Sequence, residues 1–173
     1  MSGPDLSMPV DIVVLNNRPI GRSLRRDLLP KKQNFRTVHV LLTTGFGQLI
    51  LQKLPATHSR SPGRLGSSVA GYLRAGETYQ EAAARKLFDE LRLVTPLRSL
   101  GEVRMVDEGS HKFVGVFAGH TGEVPQFDPA EIAELVYIEA APLDRMVKTT
   151  PDAFTPTFLH VYRNFRLALW RGL

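Results

Sequence analysis

The residues from Gly71 to Leu93, GYLRAGETYQEAAARKLFDELRL, constrain the fold of this chain more than any other stretch. They predict a glycine turn followed by a helix that begins near Thr78, because Thr78 and Glu81 have the spacing of a capping box. Apolar residues then recur about every four positions from Ala83 to Leu91, which is the period of one helix face. The stretch therefore predicts a turn that is joined directly to an amphipathic helix.

The polar face of this helix carries acids and bases at neighbouring positions. Arg85 and Lys86 lie one turn before Asp89 and Glu90, so the four side chains share one surface. Carboxylates beside a glycine turn can hold a hard divalent cation and a phosphate group. Ordinary i,i+4 ion pairs on a solvated helix produce the same pattern, so the pattern alone leaves both interpretations open.

The spacing of the stretch resembles the Nudix box, G-x5-E-x7-R-E-U-x-E-E-x-G-U, where U is a bulky aliphatic residue. The matching positions are Gly71, Glu77, Arg85, Leu87, Glu90 and Leu93, and Asp89 stands at a glutamate position. Two positions depart from the box. Lys86 stands where the box has its first core glutamate, and Arg92 stands where it has glycine.

A longer region, from about Val10 to Phe165, resembles the Nudix branch that contains isopentenyl-diphosphate isomerase, through the segments SSVAGYLRAGE and TPDAFTPTF. The resemblance implies an α/β fold, a Nudix-type α/β/α sandwich with a mixed β-sheet, as a single domain over residues 1–173. We expect residues 1–9 to form a loose tail. Apolar runs on either side of Gly45–Gly47 predict a hairpin, and an apolar stripe after Pro156 predicts a terminal helix.

Nudix enzymes hydrolyse a diphosphate linked to another moiety with Mg²⁺ or Mn²⁺. The resemblance thus implies a hydrolase of a small diphosphate-containing metabolite, such as a nucleoside diphosphate linked to another moiety. Transferred by position, Asp89 and Glu90 are the expected catalytic and metal-binding carboxylates, and the Gly71 carbonyl is a further metal ligand. Glu77 and Arg85 are expected to form an ion pair that supports the site by fixing the turn on the helix.

Lys86 conflicts with this metal site, because an ammonium replaces a carboxylate and changes the local charge by two units. Three outcomes are open: weaker metal binding, direct contact between Lys86 and substrate phosphates, or a box retained for structure. The alternative function is therefore a catalytically degenerate Nudix-fold domain that binds a nucleotide or another polyanion without hydrolysis.

Isomerase activity is not expected. The resemblance puts Ala70 where the isomerases have a catalytic cysteine and Tyr72 where they have a metal-binding histidine. Their later pair of glutamates is absent around Ser110 to Lys112. Without a proton donor and a metal ligand set, protonation of an alkene has no chemical basis in this chain.

The positive charge of the chain is local. Between Arg18 and Arg36 there are seven basic residues and one acid, Asp27. Such a patch suits a phosphorylated small molecule or a nucleic acid, although a solvated basic loop explains it equally well. Only Phe35 interrupts the segment as an aromatic, so a nucleic acid is the less favoured partner. We expect the substrate to contact Lys86, Arg36 and Arg64.

Composition excludes several other classes of protein. The chain has no cysteine, which rules out a disulfide framework, a thiolate metal site and a cysteine nucleophile. The N-terminal MSGPDLSMPV has no apolar core, and no run approaches the length of a membrane span. We therefore expect a cytoplasmic protein without a membrane partner. The sequence leaves a homodimer open.

Overall fold

The computed structural model describes residues 5–171. Within that range the chain forms nine β-strands and three α-helices: β1 Pro9–Val13, β2 Pro19–Leu24, β3 Phe35–Thr44, β4 Gln48–Lys53, β5 Leu65–Gly66, β6 Val69–Tyr72, α1 Tyr79–Leu91, β7 Leu97–Asp107, β8 Ser110–Thr121, β9 Glu134–Glu139, α2 Ala140–Thr149 and α3 Pro156–Trp170. Short 3₁₀ turns lie at Arg25–Asp27 and Pro151–Ala153.

The main sheet is mixed and is organised around β3. Along one edge, β3 pairs in parallel with β8 over its whole length, and β8 pairs antiparallel with β7. The other edge of β3 is shared by two antiparallel partners, β6 near its start and β4 near its end. β5 and β9 pair with β4 and extend the sheet. β1 and β2 form a separate hairpin.

Helices cover both faces of this sheet, which confirms the predicted α/β/α architecture. α1 packs on one face through its buried apolar stripe, and α2 and α3 pack on the other. Successive residues of β3 alternate between the two cores, with Val40 packing toward α1 and Leu41 toward α3. None of the helices in residues 5–171 is long and apolar enough to cross a membrane.

The predicted hairpin, the helix after Thr78 and the terminal helix are all present, but β2 was not predicted. Most of Pro19–Leu24 is exposed, so no apolar alternation marks it as a strand. It is held instead by its antiparallel pairing with β1. Part of the basic segment, for which the sequence left a ligand-binding patch and a solvated loop open, is therefore an ordered strand.

The N-terminal tail is also more ordered than expected. Pro9 begins β1, and the carbonyls of Leu6 and Met8 accept hydrogen bonds from the amides of Arg26 and Arg25, each at 3.0 Å. Residues 1–4 of the predicted tail lie outside the described residues. The predicted tail therefore contains the start of the β1–β2 hairpin.

The two ends of α1 differ: its first residues form a favourable cap, and its last turn ends in a strained residue. At its start, the Thr78 hydroxyl accepts from the Glu81 amide and the Glu81 carboxylate accepts from the Thr78 amide, so the predicted capping box is present. At its end, Arg92 has a left-handed backbone with φ of 56°. A glycine adopts that conformation without the clash that a Cβ causes. The departure of Arg92 from the Nudix pattern therefore carries backbone strain.

Replacing Arg92 by glycine should stabilise the protein by about 0.5–1 kcal/mol, because it removes the Cβ from a left-handed position. Chemical denaturation would measure the free energy of unfolding. Arg92→Ala is the matched control, since it also loses the guanidinium contact with the Phe88 carbonyl (3.3 Å) but keeps the Cβ. Equal stability of the two variants would contradict the strain argument.

Candidate functional site

Arg85 fixes the glycine turn to α1. Its Nε and Nη2 atoms donate to the two carboxylate oxygens of Glu77, at 2.6 and 2.8 Å, and Nη2 also donates to the Tyr72 carbonyl at 3.1 Å. The Arg74 amide donates to the same Glu77 carboxylate at 2.8 Å. The ion pair predicted between Glu77 and Arg85 is thus present, and it joins β6, the turn and α1.

Glu77 is held as a carboxylate by these partners. Burial opposes its ionisation, but the hydrogen bonds from Arg85 and from the Arg74 amide, together with their charges, outweigh burial and lower the pKa of Glu77 below its usual range. The carboxylate and the guanidinium also lie deep, with 11% and 18% of their side chains exposed. This turn-to-helix clamp is therefore charged at neutral pH.

The two predicted metal carboxylates face different neighbours. Asp89 lies 3.6 Å from Arg85 Nη1, with nearly half of its side chain exposed. Glu90 pairs with Lys86 and accepts a hydrogen bond from Gln52 of β4 at 2.6 Å. Joint metal binding by Asp89 and Glu90 remains a prediction.

Lys86 lies across Gly71. A Cβ built on Gly71 would stand 2.5 Å from Lys86 Cε and 3.1 Å from its Nζ, so the lysine fits only because residue 71 has no side chain. Gly71 itself pairs with Val38 in the ladder between β6 and β3. From this position the ammonium reaches the Glu90 carboxylate. The Lys86 ammonium thus lies beside the backbone of Gly71.

Gln52 connects Glu90 to the sheet, and sequence reasoning missed it. Its Nε2 donates to Glu90 Oε2 at 2.6 Å and to the Ser68 carbonyl at 2.7 Å, and the residue is 7% exposed. Gln52 belongs to no box position. The signal that could have found it is a polar residue within the apolar strand QLILQK, because buried amides require hydrogen-bond partners.

This donor set does not fit a divalent cation. One oxygen of Glu90 faces the Lys86 ammonium, and the other accepts from Gln52. Across residues 5–171, no group of three or more His, Cys, Asp or Glu side chains could hold a metal ion. The Lys86 ammonium would also repel a cation bound at Glu90. For two unit positive charges about 4 Å apart, at an effective dielectric constant of about 20, this repulsion is about 4 kcal/mol. A metal ion would therefore have to displace Lys86 from Glu90.

Arg36 has a structural partner instead of a free guanidinium. Its Nε donates to the Asn17 side chain at 2.7 Å, its Nη2 donates to the Asn17 carbonyl, and the guanidinium lies 5.9 Å from the centre of the Tyr79 ring. These contacts fix the turn between β1 and β2, where Asn17 has a φ of 61°. The predicted substrate contact of Arg36 stays a prediction, and a ligand would share the guanidinium with this turn.

Arg64 lies on the loop before β5. Its carbonyl accepts from the Leu54 amide at 2.9 Å, and Gly66, two residues later, pairs with Gln52. The structure thus brings the Arg64 backbone to the strand that contacts Glu90. Its predicted contact with a substrate stays a prediction.

The positions at which this chain departs from the isomerases lie on the opposite face of the sheet from Gly71. Side chains alternate along β6, so Ala70 and Tyr72 point away from α1. Tyr72 stacks on Phe35 with ring centres 5.2 Å apart. Lys112 is buried, and its ammonium donates to Asp107 at 3.0 Å and to Thr157 at 2.8 Å. An aromatic ring and a paired ammonium therefore occupy this face.

Comparisons with known proteins show the family and the fold. The model of the NUDIX domain family matches residues 33–158. An isopentenyl-diphosphate Delta-isomerase of Nocardia farcinica is 30% identical, over 89% of this chain and 92% of that protein. A prenyl-diphosphate phosphatase of Methanosarcina mazei is 25% identical, over 83% of this chain and 86% of that protein. A solved protein of Deinococcus radiodurans superposes with a TM-score of 0.76 at 24% identity, covering 90% of this chain and 98% of that one, which shows a shared fold.

Glu77→Gln should lower the free energy of unfolding by about 1 kcal/mol at neutral pH, because it removes the charged partner of Arg85. The folded-state pKa of Glu77 is lowered, so its stabilisation is present above the ordinary value of 4.5 and is lost as pH falls through the folded pKa. Denaturation of both proteins across this range would measure the difference. Glu123→Gln, at an exposed position, is the control and should change little. A Glu77→Gln effect that persists in acid would contradict the electrostatic account.

Proposed function

Because this chain belongs to the NUDIX domain family, we propose that it binds the diphosphate group of a small phosphorylated metabolite at the surface formed by Gly71, Lys86 and Gln52. The observation that carries the proposal is the position of the Lys86 ammonium beside the Gly71 backbone. An ammonium donates charge-assisted hydrogen bonds to phosphate oxygens and acts toward them as a compact positive charge.

The proposed ligand is a diphosphate with a second moiety attached, such as a nucleoside diphosphate sugar or a prenyl diphosphate. The name of the Methanosarcina mazei relative, a prenyl-diphosphate phosphatase, supports a diphosphate as the shared chemical group. The local excess of basic residues between Arg18 and Arg36 also supports a polyanionic ligand.

Hydrolysis of the diphosphate with Mg²⁺ or Mn²⁺ is the second candidate function. It is favoured by the retained Glu90, whose contact with Gln52 keeps a carboxylate beside β4, and by a relative named as a phosphatase. It ranks second because Lys86 neutralises that carboxylate. The donor set around Glu90 does not fit the metal, so these residues support no metal-dependent hydrolytic step.

Isomerisation is not part of the proposal, although one relative carries that name. Lys112 is a paired ammonium on the face where the isomerases, by resemblance, have carboxylates. Ala70 also has no group that could move a proton. A cytoplasmic location, the absence of a membrane partner, the low rank of a nucleic-acid partner and an open homodimer stay predictions.

We expect diphosphates to bind at least about tenfold more tightly than the matched monophosphates, because two phosphate groups present more acceptors to Lys86 and the backbone. Isothermal titration calorimetry with ADP-ribose, UDP-glucose and isopentenyl diphosphate, each beside its monophosphate counterpart, would measure this. Equal affinity for both members of every pair, or no binding throughout, would refute the proposed function.

We expect no release of phosphate from these diphosphates above the buffer rate when Mg²⁺ or Mn²⁺ is supplied, because Lys86 holds Glu90. For ADP-ribose and UDP-glucose, a colorimetric phosphate assay after treatment with alkaline phosphatase would detect any cleavage product; for isopentenyl diphosphate, phosphate is measured directly, without alkaline phosphatase. Turnover by the wild type that is abolished by Glu90→Gln would establish the second candidate in place of binding alone.

A further inference from the structure

The Lys86–Glu90 pair suggests how a diphosphate gains access to the ammonium. Four-fifths or more of each side chain is buried, so the two charges interact where water screens them weakly. A phosphate that approaches Lys86 meets an ammonium that already has an anionic partner. Any phosphate contact with Lys86 therefore competes with the carboxylate of the same chain.

Glu90 and Lys86 differ in how firmly they are held. The second oxygen of Glu90 accepts from Gln52, whose Nε2 also donates to the Ser68 carbonyl, so the carboxylate is tied to the sheet. Lys86 crosses Gly71 with the far end of a flexible chain, where only the missing side chain of glycine leaves space. The ammonium can therefore turn toward a ligand while Glu90 stays in place.

We propose that Glu90 is an internal counter-ion, which holds Lys86 in the free protein and yields it to a diphosphate, so that binding needs no divalent cation and Glu90 opposes it. This inference rests on the proposed function. It adds that the Glu90 carboxylate binds the Lys86 ammonium before the ligand does. Once Lys86 has turned to the ligand, the Glu90 carboxylate is left near two anionic phosphates. Its negative charge then disfavours the bound state.

This arrangement reverses the usual expectation for the retained glutamate. If Glu90 held a metal ion that bridges to the diphosphate, Glu90→Gln would weaken binding. For an internal counter-ion, Glu90→Gln should strengthen binding, because the amide oxygen still accepts from Gln52 but no longer competes for Lys86. The sign of one substitution therefore separates the two mechanisms.

The test is calorimetric titration of the full chain with inorganic pyrophosphate, with EDTA present and then with Mg²⁺. We expect wild-type binding in EDTA, about fivefold tighter binding by Glu90→Gln, and about tenfold weaker binding by Lys86→Met, the size expected for one close charge. Glu123→Gln is the control. It removes one exposed carboxylate outside the site and should change affinity less than about twofold.

Gly71→Ala perturbs the site without removing a charge and serves if Lys86→Met does not fold. Its methyl group would stand 2.5 Å from Lys86 Cε and force the ammonium out of the position in which it pairs with Glu90, so we expect tighter pyrophosphate binding, in the same direction as for Glu90→Gln. Unchanged affinity in this variant would overturn the assigned position of Lys86.

The remaining outcomes are distinct. Binding that requires Mg²⁺, or that is weakened by Glu90→Gln, overturns the internal counter-ion and leaves the diphosphate function standing. No pyrophosphate binding by any variant, with or without Mg²⁺, overturns the counter-ion at this surface. In that case the organic diphosphates decide the proposed function separately.

Discussion

The guanidinium of Arg85 is the interaction on which the arrangement of this site depends. It bonds both oxygens of Glu77, the carbonyl of Tyr72 and, more loosely, the carboxylate of Asp89. One planar group thereby ties the end of β6 and the turn to α1. Because Arg offers several donors in a fixed plane, it can bond both oxygens of one carboxylate and a carbonyl in a single geometry.

With the turn held in this way, the neighbouring residue decides what the surface can bind. Lys86 occupies the position at which the Nudix pattern has a carboxylate, and it neutralises Glu90. The family fold is retained while the charge of its characteristic helix face has changed. Fold membership and metal chemistry are separate properties in this chain, since the fold depends on packing and the chemistry on a few charges.

On the face of the sheet that points away from α1, buried polar residues likewise stabilise the fold. His39 is buried and neutral, because burial, with the charge of Lys112, lowers its pKa to about 3, and its ring bonds the Ser67 hydroxyl at 2.7 Å. Lys112 is buried beside Asp107 and Thr157. The first contact joins β3 to the segment between β5 and β6, and the second joins β8 to β7 and α3. The His39 ring is thus held by the hydrogen bond that a buried polar group requires.

The sequence by itself determined the elements whose contacts are close in the chain. The capping box at Thr78 spans three residues, and the Lys86–Glu90 pair spans one helical turn, so spacing alone predicts both. The resemblance to the Nudix box added the Glu77–Arg85 pair and the α/β/α architecture. Only the tertiary structure decided the partners that are distant in the chain. Gln52 meets Glu90 across 38 positions and Asn17 meets Arg36 across 19, and both depend on how α1 and the β1–β2 hairpin pack against the main sheet, which no local pattern encodes. The fit of Lys86 over Gly71 was decided in the same way, because it follows from how α1 packs on the sheet.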